Sequence, residues 1–295
     1  MSTSPALSTI RDLWRYAITR FNTEKLFFGH GSIDAADEAA YLILHTLKLP
    51  LDKLDPFLDA RLLPYEVENV MHVIEQRSVQ RVPAAYITKQ AWLGTYAFYV
   101  DERVLVPRSF IAELIPEHFS PWVPDAYAVE NILELCTGSG CLAIMMADAF
   151  PDAEVDAIDL SRDALDVAAQ NVAEYGLQDR VQLIESDLYQ NVPVKKYDLI
   201  ITNPPYVNSA SMAALPPEYL HEPQMGLAGG EDGMDLVRKI VAGAAERLTD
   251  NGILMVEIGN EREYAEAAFG HLGLTWVSTS AGDDMVFLLT ADQLR

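Results

Sequence analysis

Cysteine is nearly absent from this sequence. The two residues, Cys136 and Cys141, sit together in one small-residue loop, so no disulfide framework can be built and a reducing cytoplasm is the expected compartment. A thiol pair can hold zinc or cycle between redox states, but with no histidine nearby these two make a poor ligand set. They read as small packed residues, and no metal is expected. No window approaches the ~18 uninterrupted apolar residues of a membrane span, and Met1-Ser2-Thr3-Ser4-Pro5 lacks the basic and apolar regions of a secretory signal. No membrane association is expected. Basic charge is also short: 21 Lys and Arg against 44 Asp and Glu leave a formal net charge of −23. Such a field repels nucleic-acid phosphates and speeds encounter with a basic partner, so direct nucleic-acid binding is not expected. An acid-rich source proteome accounts for the same number, and the sequence leaves both explanations standing.

At 295 residues, half of them hydrophobic, the chain can bury a large core and is expected to form two domains. Residues 5–85 read as helical. Leu7, Ile10, Leu13, Tyr16 and Ala17, then Ala39, Leu42, Ile43 and Leu47, repeat at helical spacing. Asp34 is placed as an N-cap with Glu38 near the capping-box position, and Pro64 opens another helix through Val67, Val70, Met71 and Ile74. Character changes over 88–107. Gln90-Ala91-Trp92-Leu93 and Phe98-Tyr99-Val100, split by Gly94-Thr95, read as a β-hairpin, and Val104-Leu105-Val106-Pro107-Arg108 as a further strand. Pro121 and Pro124 interrupt the pattern. From about residue 110, apolar runs of strand length alternate with helices: Asn131–Leu135, Glu154–Ile158, Val181–Glu185, Tyr197–Thr202 and Ile253–Ile258. Leu274–Ser278 and Met285–Leu289, joined by Ala281-Gly282-Asp283-Asp284, close the chain as an antiparallel hairpin. The expected class is α/β with a Rossmann-like sheet.

The residues that carry chemistry collect where these strands stop. Tyr197–Thr202 stops on Asn203-Pro204-Pro205-Tyr206. The Asn203 side-chain oxygen and the Pro204 carbonyl can each accept one hydrogen of a planar –NH2. Pro204 and Pro205 fix φ and remove competing donors, and the Tyr206 ring can lie over a flat group. Methylating a planar nitrogen needs such a set, although a Pro-rich turn after a buried strand is the plainer account. Upstream, Asn131–Leu135 runs into Cys136-Thr137-Gly138-Ser139-Gly140-Cys141 and a helix start. Gly138 and Gly140 allow a ligand close to the backbone, and the helix N-terminus beyond them favours polar or anionic groups. The next strand ends on Asp159, about 20 residues further on, where an acidic side chain accepts from ribose hydroxyls in nucleotide-binding βαβ units. The third ends on Ser186-Asp187-Leu188, where Asp187 can bond an adenine amino group and Leu188 can pack on the ring. Asp159 and Asp187 also read singly as helix N-caps, but three such sites at successive strand ends, followed by Asn-Pro-Pro-Tyr, are hard to explain that way.

This order of elements resembles the class I S-adenosylmethionine-dependent methyltransferases, and Asn203-Pro204-Pro205-Tyr206 is similar to the motif of amide and amino methyltransferases. Over nearly the whole chain the sequence resembles bacterial protein-glutamine N(5)-methyltransferases. Phe28-Gly29-His30-Gly31 with Asp37-Glu38-Ala39, Val104 to Ser109, and Cys136 to Cys141 favour the branch acting on ribosomal protein L-three over the branch acting on release factors. One departure is Phe110, where the pattern calls for proline. The resemblance implies a helical substrate-recognition domain over 1–87, a β-hairpin linker over 88–109 and a seven-stranded S-adenosylmethionine-binding domain over 110–295. It implies cofactor contacts at Cys136, Thr137, Gly138, Ser139, Gly140, Asp159, Asp187, Leu188 and Asn203, and catalysis by Asn203, Pro204, Pro205 and Tyr206. It places Arg108 at the mouth of the site, as a substrate contact or a surface ion pair, and leaves His30 as a substrate contact or a structural turn residue. The loop from Val207 to Asp232 is long enough to be functional and is expected to form a lid around the incoming glutamine. A nucleic-acid amino-methyltransferase shares Asn-Pro-Pro-Tyr, but the −23 charge opposes it. A non-catalytic cofactor-binding module would not need Asn203 or Tyr206.

Overall fold

The computed structural model describes residues 7–295; Met1 to Pro5, read above for want of a secretory signal, lie outside them. The chain divides into two compact units, residues up to 91 with 216–221, and residues 92–215 with 222–295.

The first unit is built on helices α1 (Ile10–Thr23), α2 (Ala35–Thr46), α3 (Pro64–Ser78) and α4 (Ala84–Thr88). Helix α1 buries Ile10, Leu13, Ala17 and Phe21, the single stripe that helical periodicity produces. Its start is a capping box, in which the Thr9 hydroxyl accepts from the Asp12 N–H while the Asp12 carboxylate accepts from the Thr9 N–H. Asp34 caps α2 as expected, accepting from the Ala36 and Asp37 amides at 2.8 and 3.0 Å. Glu38 does not cap. It is buried, and its carboxylate meets the Arg77 Nε at 2.5 Å, because a position one turn into α2 points at α3 rather than back at the helix start.

The second unit opens with strand β1 (Gln90–Leu93), which spans the division, and β2 (Tyr96–Tyr99), paired as the expected hairpin. The further strand expected over 104–108 does not form. The Val106 N–H donates to the Glu222 carboxylate at 2.9 Å instead of to a neighbouring strand, and Pro107 has no N–H to offer. The sheet consists of β3 (Asn131–Leu135), β4 (Glu154–Asp159), β5 (Val181–Glu185), β6 (Tyr197–Thr202), β7 (Leu248–Glu257), β8 (Thr275–Thr279) and β9 (Gly282–Thr290), in the order β5-β4-β3-β6-β7-β9-β8. The first five are parallel and β9 and β8 antiparallel, as expected of the terminal hairpin. Alternate residues of the central strands enter two cores: Ile132, Leu199, Ile201, Ile253 and Met255 on one face, Leu133, Leu135, Leu254 and Val256 on the other. Burial on both faces is why these strands read as continuous apolar runs. Helices α5 (Ile111–Leu114), α6 (Cys141–Ala149) and α7 (Arg162–Glu174) contribute to the first core. After the short α8 (Ser209–Met212), helices α9 (Asp235–Ala244), α10 (Arg262–Phe269) and α11 (Ala291–Leu294) contribute to the second.

One buried carboxylate ties the segment before α5 to the sheet. Glu257, the last residue of β7, accepts from the Ser109 hydroxyl at 2.6 Å and from the Phe110 N–H at 2.8 Å. Proline, expected at 110, would lack that donor, so the clamp needs a residue with a backbone N–H there, as Phe110 has. Burial raises the Glu257 pKa to about 7 from 4.5, against the opposing pull of Ser109 and the two amides. A carboxyl raised on folding contributes stability that is fully present below pH 4.5 and is lost as pH climbs through 7. At ~1.4 kcal/mol per pH unit, the span from 4.5 to 7 amounts to about 3 kcal/mol. Glu257→Gln, neutral at every pH, should therefore gain about that much on wild type across this span, measured by denaturant unfolding at each pH. A difference that does not move with pH would show that Glu257 titrates normally.

Candidate functional site

From β3 the chain winds outward to β4 and β5, then returns to β6 and β7 on the other side, so the strand order reverses between β3 and β6. In open α/β sheets the crevice beyond the carboxyl ends of the strands at such a reversal takes ligands. The register gives the crevice a floor. Leu135 pairs with both Ile158 and Thr202, and Thr202 with Val256. One residue further on, Cys136, Asp159, Asn203 and Glu257 therefore stand at one level across four adjacent strands. At ~4.8 Å per strand, Asp159 and Asn203 are about 10 Å apart, a small molecule's width.

The turn after β3 is left-handed at Cys136, Gly138 and Gly140, with φ of 61°, 57° and 78°. At Gly140 space is restricted as well, since a Cβ there would lie 3.1 Å from the Ala168 Cβ on α7. The Gly138 N–H donates to Asp159 Oδ2 at 2.8 Å, and Oδ1 accepts from the Ser161 N–H at 2.8 Å. The helix-cap alternative for Asp159 is thereby settled: Ser161 caps α7, accepting from the Ala164 N–H. Each Asp159 oxygen spends one lone pair on a backbone amide and keeps another. Burial raises the Asp159 pKa, with the Ser161 and Gly138 amides opposing it. Beneath the turn, burial pushes Glu134 up to about 8, and the Thr137 hydroxyl donates to it at 2.5 Å. Burial also pushes the Cys141 thiol up to about 12, which makes it an inert packed group.

Two of these supports were missed in the sequence. Asn171 donates to the Ser139 carbonyl at 2.8 Å and exchanges hydrogen bonds with both backbone groups of Tyr99, joining the glycine turn to β2. Its signal was a polar residue on the face of α7 that otherwise carries Ala164, Ala168 and Val172. Glu134 was legible as an acid inside an apolar strand.

At the end of β5, Ser186 rather than Asp187 shapes the turn, its hydroxyl donating to the Leu188 carbonyl at 2.8 Å and accepting from the Asn191 N–H at 2.9 Å. Leu188 is left-handed there, with φ 49°. Asp187 is exposed, its carboxylate accepts from the Gln190 side chain at 3.1 Å while its carbonyl accepts from the Gln190 N–H at 3.2 Å, and it caps none of the described helices. With Leu188, Tyr189, Gln190, Lys239 and Arg247 it lines an open recess of about 540 Å³.

At the end of β6, the half-buried Asn203 side chain hydrogen-bonds to no other described residue. Three glycines make room for Tyr206. A Cβ at Gly259 would lie 2.6 Å from the ring, one at Gly229 2.7 Å from the Tyr206 Cα, and one at Gly233 2.2 Å from its carbonyl oxygen. Gly229, inside the loop read above as a lid, and Gly233 just past it are thus a seat for the motif. The expected lid is fastened. Val207 donates to the Leu227 carbonyl and accepts from the Gly229 N–H, both at 2.9 Å, and Asn208 donates to Glu261 at 2.8 Å. Arg108 forms a part-buried ion pair: its two terminal nitrogens meet the Glu222 oxygens at 2.6 and 2.8 Å. His30 is buried in the helical unit with its ring 4.6 Å from that of Tyr219.

A family model described as the methyltransferase small domain matches residues 114–217. The ribosomal protein uL3 glutamine methyltransferase of Burkholderia pseudomallei is 58% identical, over 100% of this chain and 98% of that protein. That of Neisseria gonorrhoeae is 56% identical over 98% and 96%, and that of Bradyrhizobium diazoefficiens 46% identical over 98% and 92%. Among solved structures, the hMettl16 catalytic domain in complex with MAT2A 3'UTR hairpin 6 has a TM-score of 0.50 at 13% identity, over 79% of this chain and 84% of that one, a likeness of fold alone. With identities of 46–58% sustained over nearly the full length of both partners, this chain belongs to the family of ribosomal protein uL3 glutamine methyltransferases.

Proposed function

We propose that the chain methylates the side-chain amide nitrogen N(5) of a glutamine in ribosomal protein uL3, with S-adenosylmethionine as methyl donor. The observation that carries this reading is the Asn203 amide, unengaged by other described residues and level with Asp159 and the glycine turn at the strand reversal. The residues fit the donor. Asp159 keeps lone pairs for two ribose hydroxyls, the left-handed turn at Gly138 and Gly140 admits a ligand against the backbone, and Asp187 and Leu188 offer an acceptor and an apolar face for adenine. Leu160, 56% exposed beside Asp159, offers a second apolar face that the sequence reading overlooked. When bound, the donor supplies an electrophilic sulfonium methyl group.

An amide nitrogen is a poor nucleophile because its lone pair is delocalised into the carbonyl, so this chain's part is mainly orientation. Asn203 Oδ1 and the Pro204 carbonyl each accept one N–H of the target. They hold the nitrogen in place and offset the positive charge that grows on it. Pro205 keeps the turn rigid, and the Tyr206 ring covers the flat amide. The departing proton is free to pass to water, and no general base is needed. Arg108 acts through Glu222 on the loop rather than on substrate, and His30 supports the helical unit's turn. Release factors are a second glutamine substrate class, and no feature of the site prefers them. The −23 charge favours a free, basic ribosomal protein over nucleic acid.

Asn203→Ala should lower single-turnover methylation by on the order of 10²–10³, the usual loss for one preorganised acceptor, while cofactor affinity measured by titration falls far less. Near-wild-type turnover would remove Asn203 from the mechanism. Asp159→Ala should show the reverse. A charged acceptor is worth roughly 1.5–3 kcal/mol, so calorimetry should register a cofactor affinity loss of about tenfold or more. An unchanged dissociation constant would leave Asp159 as a brace for the turn. In competition, free uL3 should be methylated ahead of a release factor, with the margin greatest at low salt because exposed charges are screened beyond ~8 Å at physiological ionic strength. Scoring both proteins by intact mass across a salt series decides it. Faster release-factor methylation at every salt rejects the ribosomal substrate, and a salt-blind preference rejects the electrostatic argument alone.

A further inference from the structure

Inside the second unit, the turn that follows β7 lies against the Tyr206 ring. The Glu261 N–H donates to the Ile258 carbonyl at 3.2 Å, which closes a tight turn with Gly259 as its first central residue. Gly259 is buried at φ 52°, and a Cβ there would lie 2.6, 3.0 and 3.2 Å from Cε2, Cζ and Oη of Tyr206. Non-bonded carbons rest at roughly 3.5–4.0 Å, so one edge of the ring occupies the place of the missing side chain. Neither backbone is free to give way. On the turn's side, Glu257 is bonded to Ser109 and Phe110, and the buried Ile258 donates to the Met285 carbonyl at 2.9 Å. Glu261 is buried too. It stands at the N-cap of α10 but makes no cap bond, and its carboxylate instead accepts from Asn208 at 2.8 Å. On the motif's side, Gly229 and Gly233 press on the Tyr206 Cα and carbonyl oxygen, and Val207 is bonded to Leu227 and Gly229. With both backbones fixed, only the side-chain torsions of Tyr206 are left, and Gly259 limits them on one side.

We propose that Gly259 is a positioning residue for methyl transfer: by having no side chain, it sets how the Tyr206 ring lies over the glutamine amide. This rests on the glutamine methyltransferase reading above. The turn continues directly from β7, whose Val256 pairs with Thr202 at the end of β6. The strand pairing that brings Asn203 to the crevice therefore also brings Gly259 to the ring. A side chain at 259 meets ring atoms that can swing, so its first effect is on the angle of the ring and not on the fold.

The test measures single-turnover methylation of free uL3, with S-adenosylmethionine saturating, in wild type, Gly259→Ala, Tyr206→Ala and the double variant. Gly259→Ala should lower the rate on the order of 10- to 100-fold, as for a group misplaced by about an ångström, while Kd for S-adenosylmethionine holds steady. In the Tyr206→Ala background the same change should cost less than about twofold, because no ring is there to displace. Ring resonances of isotope-labelled tyrosine give a readout independent of activity. The Tyr206 signal, identified by its loss in Tyr206→Ala, should move in Gly259→Ala while the other tyrosine signals hold. Wild-type turnover in Gly259→Ala overturns the proposal, as does an unmoved Tyr206 signal or an equal loss in both backgrounds. Should Gly259→Ala fail to fold, Gly259→Asn carries the same Cβ on a residue that tolerates left-handed φ, and it decides by the same readouts. If wild type itself methylates no uL3, the functional reading falls, and the Tyr206 signal still decides whether Gly259 sets the ring.

Discussion

Parallel pairing of β3 with β4 on one side and β6 on the other is the constraint on which the site depends. Because Leu135 faces both Ile158 and Thr202, the next residue of each strand arrives at the same level. A slip of one residue would turn Asp159 or Asn203 to the opposite face of the sheet. The apolar alternation into two separate cores prevents that slip, since Ile132 and Leu133 cannot exchange faces without exposing core side chains. The crevice is therefore as well determined as the hydrophobic core beneath it.

Around that fixed edge, carboxylates organise the loops. Asp159 bonds the glycine turn, Glu257 holds Ser109 and Phe110, Glu222 holds Val106 and Arg108, and Glu218 holds Phe27, Arg77 and Arg81. Each accepts from two or more donors, which is the condition under which a buried carboxylate is tolerated. Acidity in this protein thus has two physical uses. Eight of the 44 acidic residues (Glu38, Asp101, Glu134, Asp156, Glu218, Glu222, Glu257 and Glu261) are buried, so most of the excess negative charge still faces outward. The internal carboxylates brace the loops while the surface field remains available to a basic substrate.

Expectations failed wherever a side chain found a distant partner. Val104 to Arg108 alternates like a strand, yet the Val106 amide goes to Glu222, 116 residues away. Glu38 sits near a capping position, yet pairs with Arg77 across 39 residues. Arg108 was left between substrate and ion pair, and its partner lies 114 residues on, in the loop read as a lid. The length of that loop suggested a lid, whereas Gly229 and, just past it, Gly233 stand where Tyr206 backbone atoms occupy the space a Cβ would need.

The sequence by itself determined the strands of the seven-stranded sheet, the glycine turn, the acidic and amide residues at the strand ends and the closing hairpin. Each of these has a local cause: burial on both faces makes an apolar run, a positive φ calls for glycine, and a rigid turn calls for proline. Only the tertiary structure decided what braces them. Ser109 with Glu257 and Arg77 with Glu218 are 148 and 141 residues apart. A buried carboxylate leaves no mark on its neighbours in sequence to say which distant donor neutralises it, because burial and pairing exist only once the chain has folded.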